Sequence, residues 1–106
     1  MLAKTPPPPY YAVIFSSVRT EGDKGYGAMS DKMVELAATM PGFLGIESAR
    51  NKVGITVSYW ESTAAILNWK QQTDHLIAQQ TGKKIWYENY SLRICLVERD
   101  YSFKKE

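Results

Sequence analysis

The chain of 106 residues holds one cysteine and one histidine. A single thiol, Cys95, cannot form an internal disulfide, and no neighbouring ligands complete a metal site around it. Set in the middle of an apolar run, it reads as a small buried hydrophobe. One histidine with scattered carboxylates does not make the ligand cluster of a metal-dependent hydrolase. No stretch approaches the roughly 18 to 20 uninterrupted apolar residues of a membrane span. The N-terminal segment also lacks an apolar core of the signal-peptide kind, so the expected location is the cytoplasm. Thirteen basic against 11 acidic residues leave a formal charge of +2, with no run of lysines longer than a pair. An electrostatic footprint for nucleic acid is therefore missing, and neither nucleic acid nor a membrane is an expected partner. There is no G-x-S-x-G elbow, phosphate-binding glycine loop or dinucleotide fingerprint, and Gly25-Tyr26-Gly27 does not qualify as one. Internal repeats are absent.

What remains is one domain's worth of chain, large enough for a single core but with little stability in reserve unless subunits pair. Residues 1–9 form an arm whose prolines Pro6 to Pro9 cannot donate ladder hydrogen bonds and favour an extended polyproline conformation. The arm is expected to stand outside a domain spanning residues 10–101, with residues 102–106 as a short tail.

Tyr10 to Val18 is aromatic, β-branched and nearly uncharged, which predicts a central strand covered on both faces. Met29, Met33, Leu36, Ala37 and Met40 fall on one stripe of a helix that Pro41 and Gly42 terminate; Gly25 and Gly27 blur its start. Phe43 to Arg50 alternates moderately and Val53 to Trp60 alternates well. In the second run Val53, Ile55, Val57 and Tyr59 share one face and Gly54, Thr56, Ser58 and Trp60 the other. Asn51 and Lys52 suit a two-residue hairpin turn. A second helix starts at a Ser62 or Thr63 cap, turns Ala65, Ile66, Trp69, Thr73, Leu76 and Ile77 inward, and ends at Gly82, with Lys83 and Lys84 where a helix C-terminus favours cations. The last strand, Trp86 to Asp100, is long and apolar after Leu92, as in a covered strand that reaches beyond its own subunit. The order is that of an α+β, ferredoxin-like βαββαβ fold: a four-stranded antiparallel sheet with two helices on one face. Two helices leave the other face bare although its strands carry apolar residues there. A homodimer packing two open faces into a dimeric α/β barrel removes that exposed surface.

PGFLGIES after the first helix, the GITVSYWES strand, and a helix carrying a tryptophan and then a histidine resemble the antibiotic biosynthesis monooxygenase (ABM) family. The resemblance runs over nearly all of Tyr10 to Tyr101, and PGF, the YWE strand end and WYENY before the last strand fit that family's dimeric α/β barrel. These are signals of fold first. Pro41 and Gly42 stop a helix, Phe43 seats a strand, and Trp60 with Glu61 marks a strand-to-helix corner. The resemblance implies a pocket in each subunit between helices and sheet. There some members oxidise polyphenolic aromatics with O₂ and no metal or flavin, and others degrade haem. Chemistry without a cofactor is intelligible, because a deprotonated, electron-rich phenol can itself donate an electron to O₂. No cofactor is then expected, and the ligand is a small aromatic molecule.

Three side chains are candidates for such a site. Trp69 lies at the centre of the inward stripe and matches a tryptophan position used by functional members of the family; core packing is its other reading. His75, six residues on, is turned about 120° from Trp69 onto a polar shoulder with Asn68, Gln72 and Gln79. As the one side chain that titrates near neutrality without tuning, it suits a general base; a solvated histidine at the stripe's edge is its other reading. Arg93, inside the apolar run SLRICLV, needs an anionic or hydrogen-bonding partner, either a bound phenolate or Glu47 or Glu88. Tyr11, Tyr59, Tyr87 and Tyr90 suit pocket or dimer seam equally. The haem-degrading branch uses an asparagine on the first strand and a histidine near the end of the second helix, whereas here the strand has no asparagine and Gln79 and Gln80 fill the late helix positions. The expectation is a cofactor-independent oxygenase, or else a non-catalytic dimeric α/β barrel that binds a small apolar or aromatic ligand or is structural; haem degradation is disfavoured.

Overall fold

The computed structural model describes residues 2–79 and 83–105, with side chains for 2–74 and 85–105. The chain runs β1 (Tyr10–Arg19), α1 (Tyr26–Thr39), β2 (Phe43–Arg50), β3 (Gly54–Trp60), α2 (Thr63–Gln79), a four-residue α3 (Lys83–Trp86) and β4 (Tyr87–Val97). The strands form one sheet in the order β2-β3-β1-β4 with every pairing antiparallel, as the βαββαβ order demands.

Both ends of α1 and the start of α2 have local causes. At the start of α1, Gly25 takes a left-handed conformation, and the Asp23 carboxylate accepts hydrogen bonds from the backbone N–H groups of Gly25 and Gly27, both at 3.0 Å. These bonds satisfy donors that an α-helix leaves unpaired at its N-terminus. Ser62 caps α2, its Oγ accepting from the Ala65 N–H at 3.1 Å, a short side chain satisfying a first-turn donor. After α1 the chain reverses through Gly42 at φ +85°. Here a side chain is excluded twice, since a Cβ on Gly42 would stand 2.7 Å from that of Ala65.

The register sorts every strand residue onto one of two faces. The first, the helix face, carries Trp60, Ser58, Thr56 and Gly54 of β3 opposite Tyr11, Val13, Phe15 and Ser17 of β1. On it Trp60 is 0% exposed and packs with Val13, Ala37 and Ile66. Its indole N–H donates to Ser58 Oγ at 2.9 Å, and Phe43 meets it edge-on at 5.4 Å between ring centroids. The second, the open face, bears Ile14, Ser16, Val57, Tyr59 and Ile55.

Several expectations change. The hairpin turn is longer than two residues: Arg50 pairs with Gly54, and Asn51 N–H bonds Val53 O across the loop at 3.1 Å, so Val53 leaves the strand. Trp86 ends a helical turn instead of opening a strand, and β4 stops at Val97 rather than Asp100. Gly82, expected to end the second helix, lies outside the described residues, as do the side chains of Leu76, Ile77, Lys83 and Lys84. β4 is not covered in the single chain: Leu92, Ile94 and Leu96 are 42%, 52% and 50% exposed. The reason is position, because β4 is the sheet edge farthest from β2. Cys95, opposite buried Ala12 but on this edge strand, is likewise half-buried instead of fully buried.

The N-terminal arm touches the sheet it was expected to stand clear of. Ala3 N–H donates to Glu47 Oε2 at 2.9 Å, and Thr5 Oγ1 donates to the Tyr10 hydroxyl at 3.0 Å. Tyr10 in turn donates to Asp100 Oδ2 at 2.5 Å, tying the segment after β4 to the same spot. Replacing Gly42 by alanine is expected to lower stability by more than ~1 kcal/mol, the left-handed conformation and the Ala65 contact acting together. Urea denaturation of the two proteins measures the difference.

Candidate functional site on the helix face

The row that ends β3 crosses the whole sheet. Phe43 pairs with Trp60, Trp60 with Tyr11, and Tyr11 with Leu96. α2 lays Trp69 over this row, tilted 37° against Trp60 with ring centroids 5.3 Å apart. The Trp69 indole N–H is shielded from solvent and has no hydrogen-bond partner. A buried donor left unpaired costs about 1–3 kcal/mol. Beside Trp69 the row continues onto the exposed apolar stripe of β4, whose Leu92 and Ile94 pair with Phe15 and Val13. The pattern is a flat apolar shelf with one unsatisfied donor over it, suited to an oxygenated aromatic ring.

The three residues singled out from the sequence are not brought together. Trp69 stands on the helix face. His75 lies in α2, about 9 Å along the axis and about 120° round from Trp69 by helix geometry; its side chain lies outside those described. Arg93 pairs with Ile14 and so alternates onto the open face. It is exposed there and donates from Nη1 to Ser91 Oγ at 3.0 Å. A covered arginine was expected on a covered strand, but β4 is an edge strand, so solvent satisfies the guanidinium and neither Glu47 nor Glu88 pairs with it. Trp60, treated from the sequence as a corner marker, is the residue that supports Trp69. The sequence placed Trp60 on one face with Gly54, Thr56 and Ser58 but carried no sign of the contact with Trp69, which depends on how α2 packs on the sheet.

The tyrosines separate cleanly. Tyr11, Tyr87 and Tyr90 belong to the helix face, Tyr10 and Tyr59 to the open face. Tyr59 donates to Glu47 Oε1 at 2.7 Å and meets Tyr10 edge-on at 5.8 Å. Burial and the Glu47 carboxylate push the Tyr59 hydroxyl up to about 12. The Glu47 carboxyl is held below its ordinary value by the Tyr59 hydroxyl and then by the Ala3 N–H. The Tyr10 hydroxyl is raised, chiefly by its bond to Asp100. On the helix face, burial and then the bond with Tyr26 raise the Tyr87 hydroxyl. Among the described residues no group of three or more histidine, cysteine, aspartate or glutamate side chains is placed to hold a metal ion, and no helix is long and apolar enough to cross a membrane.

A four-stranded antiparallel sheet with α1 and α2 on one face makes this a ferredoxin-like α+β domain. The chain belongs to the antibiotic biosynthesis monooxygenase family, whose sequence profile matches residues 9–81. It is 53% identical over 106 residues to the uncharacterized protein YqjZ of Bacillus subtilis (strain 168), covering 98% of this chain and 93% of that one. Among solved structures, SnoaB, a cofactor-independent oxygenase from Streptomyces nogalater, superposes with a TM-score of 0.66 at 11% identity, over 92% of this chain and 100% of that one. Protein SO0527 from Shewanella oneidensis superposes with a TM-score of 0.72 at 11% identity, over 93% and 100%. At such identities the two structures share the fold.

The sign of the Glu47 shift gives a pH dependence. A carboxyl lowered in the folded chain stabilises it above its unfolded value near 4.5, and that contribution is lost as pH falls through the lowered folded value. Glu47→Gln is expected to lower the Tm at pH 7 and to flatten its fall between about pH 5 and 3. Thermal unfolding of both proteins across that range reads the effect.

Proposed function

We propose that the protein is a cofactor-independent monooxygenase acting on a small aromatic or polyphenolic substrate with O₂, and that it works as a homodimer. The observation that carries the reading is the Trp69 indole N–H, buried without a partner over an apolar shelf, in a chain of the monooxygenase family. The cofactor-independent activity named for SnoaB agrees with it.

In this reading Trp69 hydrogen-bonds a substrate oxygen and holds the ring against the shelf. His75 accepts the phenolic proton. The phenolate then donates one electron to O₂, and the resulting radical pair combines to form a carbon–oxygen bond. Where the attacked carbon is a ring methylene, the O–O bond breaks with one oxygen kept as a carbonyl and the other leaving as water with the two methylene hydrogens. The protein supplies binding, dehydration and proton removal, which is all this chemistry requires of it. Arg93, on the opposite face from Trp69, takes no part in the step. The homodimer forms through the open face, where Ile55 is exposed in the single chain, and the edge strand β4 reaches the partner; covering these surfaces is the driving force.

Oxygen uptake with hydroquinones and anthrones, chelator present and boiled protein as control, is expected above background. A fall of at least ~10-fold is expected in Trp69→Phe and about 10²-fold in His75→Gln. Unchanged turnover in His75→Gln removes the base, and no uptake across the panel leaves a ligand-binding dimer. Light scattering is expected to give twice the 12.0 kDa chain mass; a monomer mass sinks the pairing.

A further inference from the structure

Six residues back along β3 from Trp60, about 20 Å at strand rise, the helix face carries a second constellation. The register aligns Arg50, Gly54, Ser17 and Tyr90 in one row across all four strands. Gly54 and Ser17 are buried and small, and they leave a low floor. The Arg50 guanidinium lies across that floor: a Cβ on Gly54 would collide with it, and its Nη2 donates to Ser17 Oγ at 2.6 Å. Because the serine oxygen accepts that bond, its own hydrogen is left to donate.

A second arginine reaches the same place from the bulge between Val18 and Arg19. Arg19 stacks its guanidinium carbon 3.6 Å from the ring centroid of Tyr26, the first residue of α1, and Arg50 approaches the same ring at 6.0 Å. Arg19 is braced by bonds from Nη2 to Gly22 O at 3.2 Å and Asp23 O at 3.3 Å, while its Nε–H is shielded from solvent and unpartnered. Among the described residues neither arginine makes an ion pair. Of the two acids in this loop, Glu21 is exposed and forms no ion pair with either arginine, and Asp23 commits both carboxylate oxygens to the start of α1. Phe15, Tyr87 and Tyr90 form an aromatic wall beside them, with ring centroids 5.3 to 5.6 Å apart.

Two guanidinium groups held near one ring with no ion-pair partner among the described residues repel each other, and a bound anion reverses the sign of that interaction. A planar guanidinium fork matches a carboxylate in shape, and an aromatic wall accepts the face or edge of a ring. We propose that this row is a binding site for a small aromatic carboxylic acid, its carboxylate held by Arg50, Arg19 and the Ser17 hydroxyl and its ring against Phe15 and Tyr90. The site is separate from the shelf under Trp69 and does not depend on the oxygenase reading.

The test is an NMR titration of the full chain with 4-hydroxybenzoate, with phenol as the uncharged counterpart. Expected are saturable shifts centred on the amides of Ser17, Tyr26, Arg50, Gly54 and Tyr90, with phenol at least 10-fold weaker. Arg50→Gln, at an exposed position, is expected to weaken binding at least 10-fold with its spectrum otherwise unchanged. Arg50→Lys recovers only part of the affinity, since an ammonium has no fork. Gly54→Ala, which must displace the guanidinium, provides a second variant and is expected to weaken binding as Arg50→Gln does. Equal affinity for phenol, shifts centred elsewhere, or undiminished binding in Arg50→Gln overturns the proposal. Inorganic phosphate displacing 4-hydroxybenzoate at equal concentration overturns the aromatic-acid assignment in favour of a bare oxyanion site. The titration reads binding alone, so absence of oxygen uptake does not bear on it.

Discussion

The burial of Trp60 is the contact on which the rest of the arrangement depends. One residue at the end of β3 touches the sheet through Val13, the β2 start through Phe43, and both helices through Ala37 and Ile66. Its nitrogen is satisfied two residues back at Ser58, so the side chain is buried without an unmet donor. Trp69 has no such arrangement. It uses Trp60 as a platform while its own N–H stays unpaired. Two tryptophans in contact thus differ in whether the indole N–H is satisfied.

Antiparallel pairing divides the sheet's work between its faces. On the helix face the packed core lies under α1 and α2, an apolar stripe runs along β4, and arginines and tyrosines gather where α1 begins. On the open face a polar network of Glu47, Tyr59, Tyr10 and Asp100 anchors the N-terminal arm. The proton positions in that network are mutually dependent. Burial and then the Glu47 carboxylate raise the Tyr59 hydroxyl, while the bond from Tyr59 and then the Ala3 N–H lower Glu47.

Much of the fold was legible in residues 10–79, since strand alternation and helical stripes are local periodicities. The two faces of β3, the serine cap of α2 and the stop at Pro41 and Gly42 all follow from neighbours within a few positions. The coverage of β4 did not follow. An apolar run reads the same in a central strand and at an edge, and only the order β2-β3-β1-β4 distinguishes them. Cys95 and Arg93 share that cause. The Arg50 row was equally illegible, because its members lie in four different strands and no periodicity links them.

The sequence by itself therefore determined the main elements, their order and the family, because each rests on short-range pattern or on a motif within one element. Tertiary structure alone decided which face each polar side chain serves, that Trp69 and Arg93 lie on opposite sides, and that Arg19 and Arg50 meet at Tyr26. Those outcomes depend on register between strands distant in the chain. A shift of one residue in that register moves every side chain of a strand to the other face.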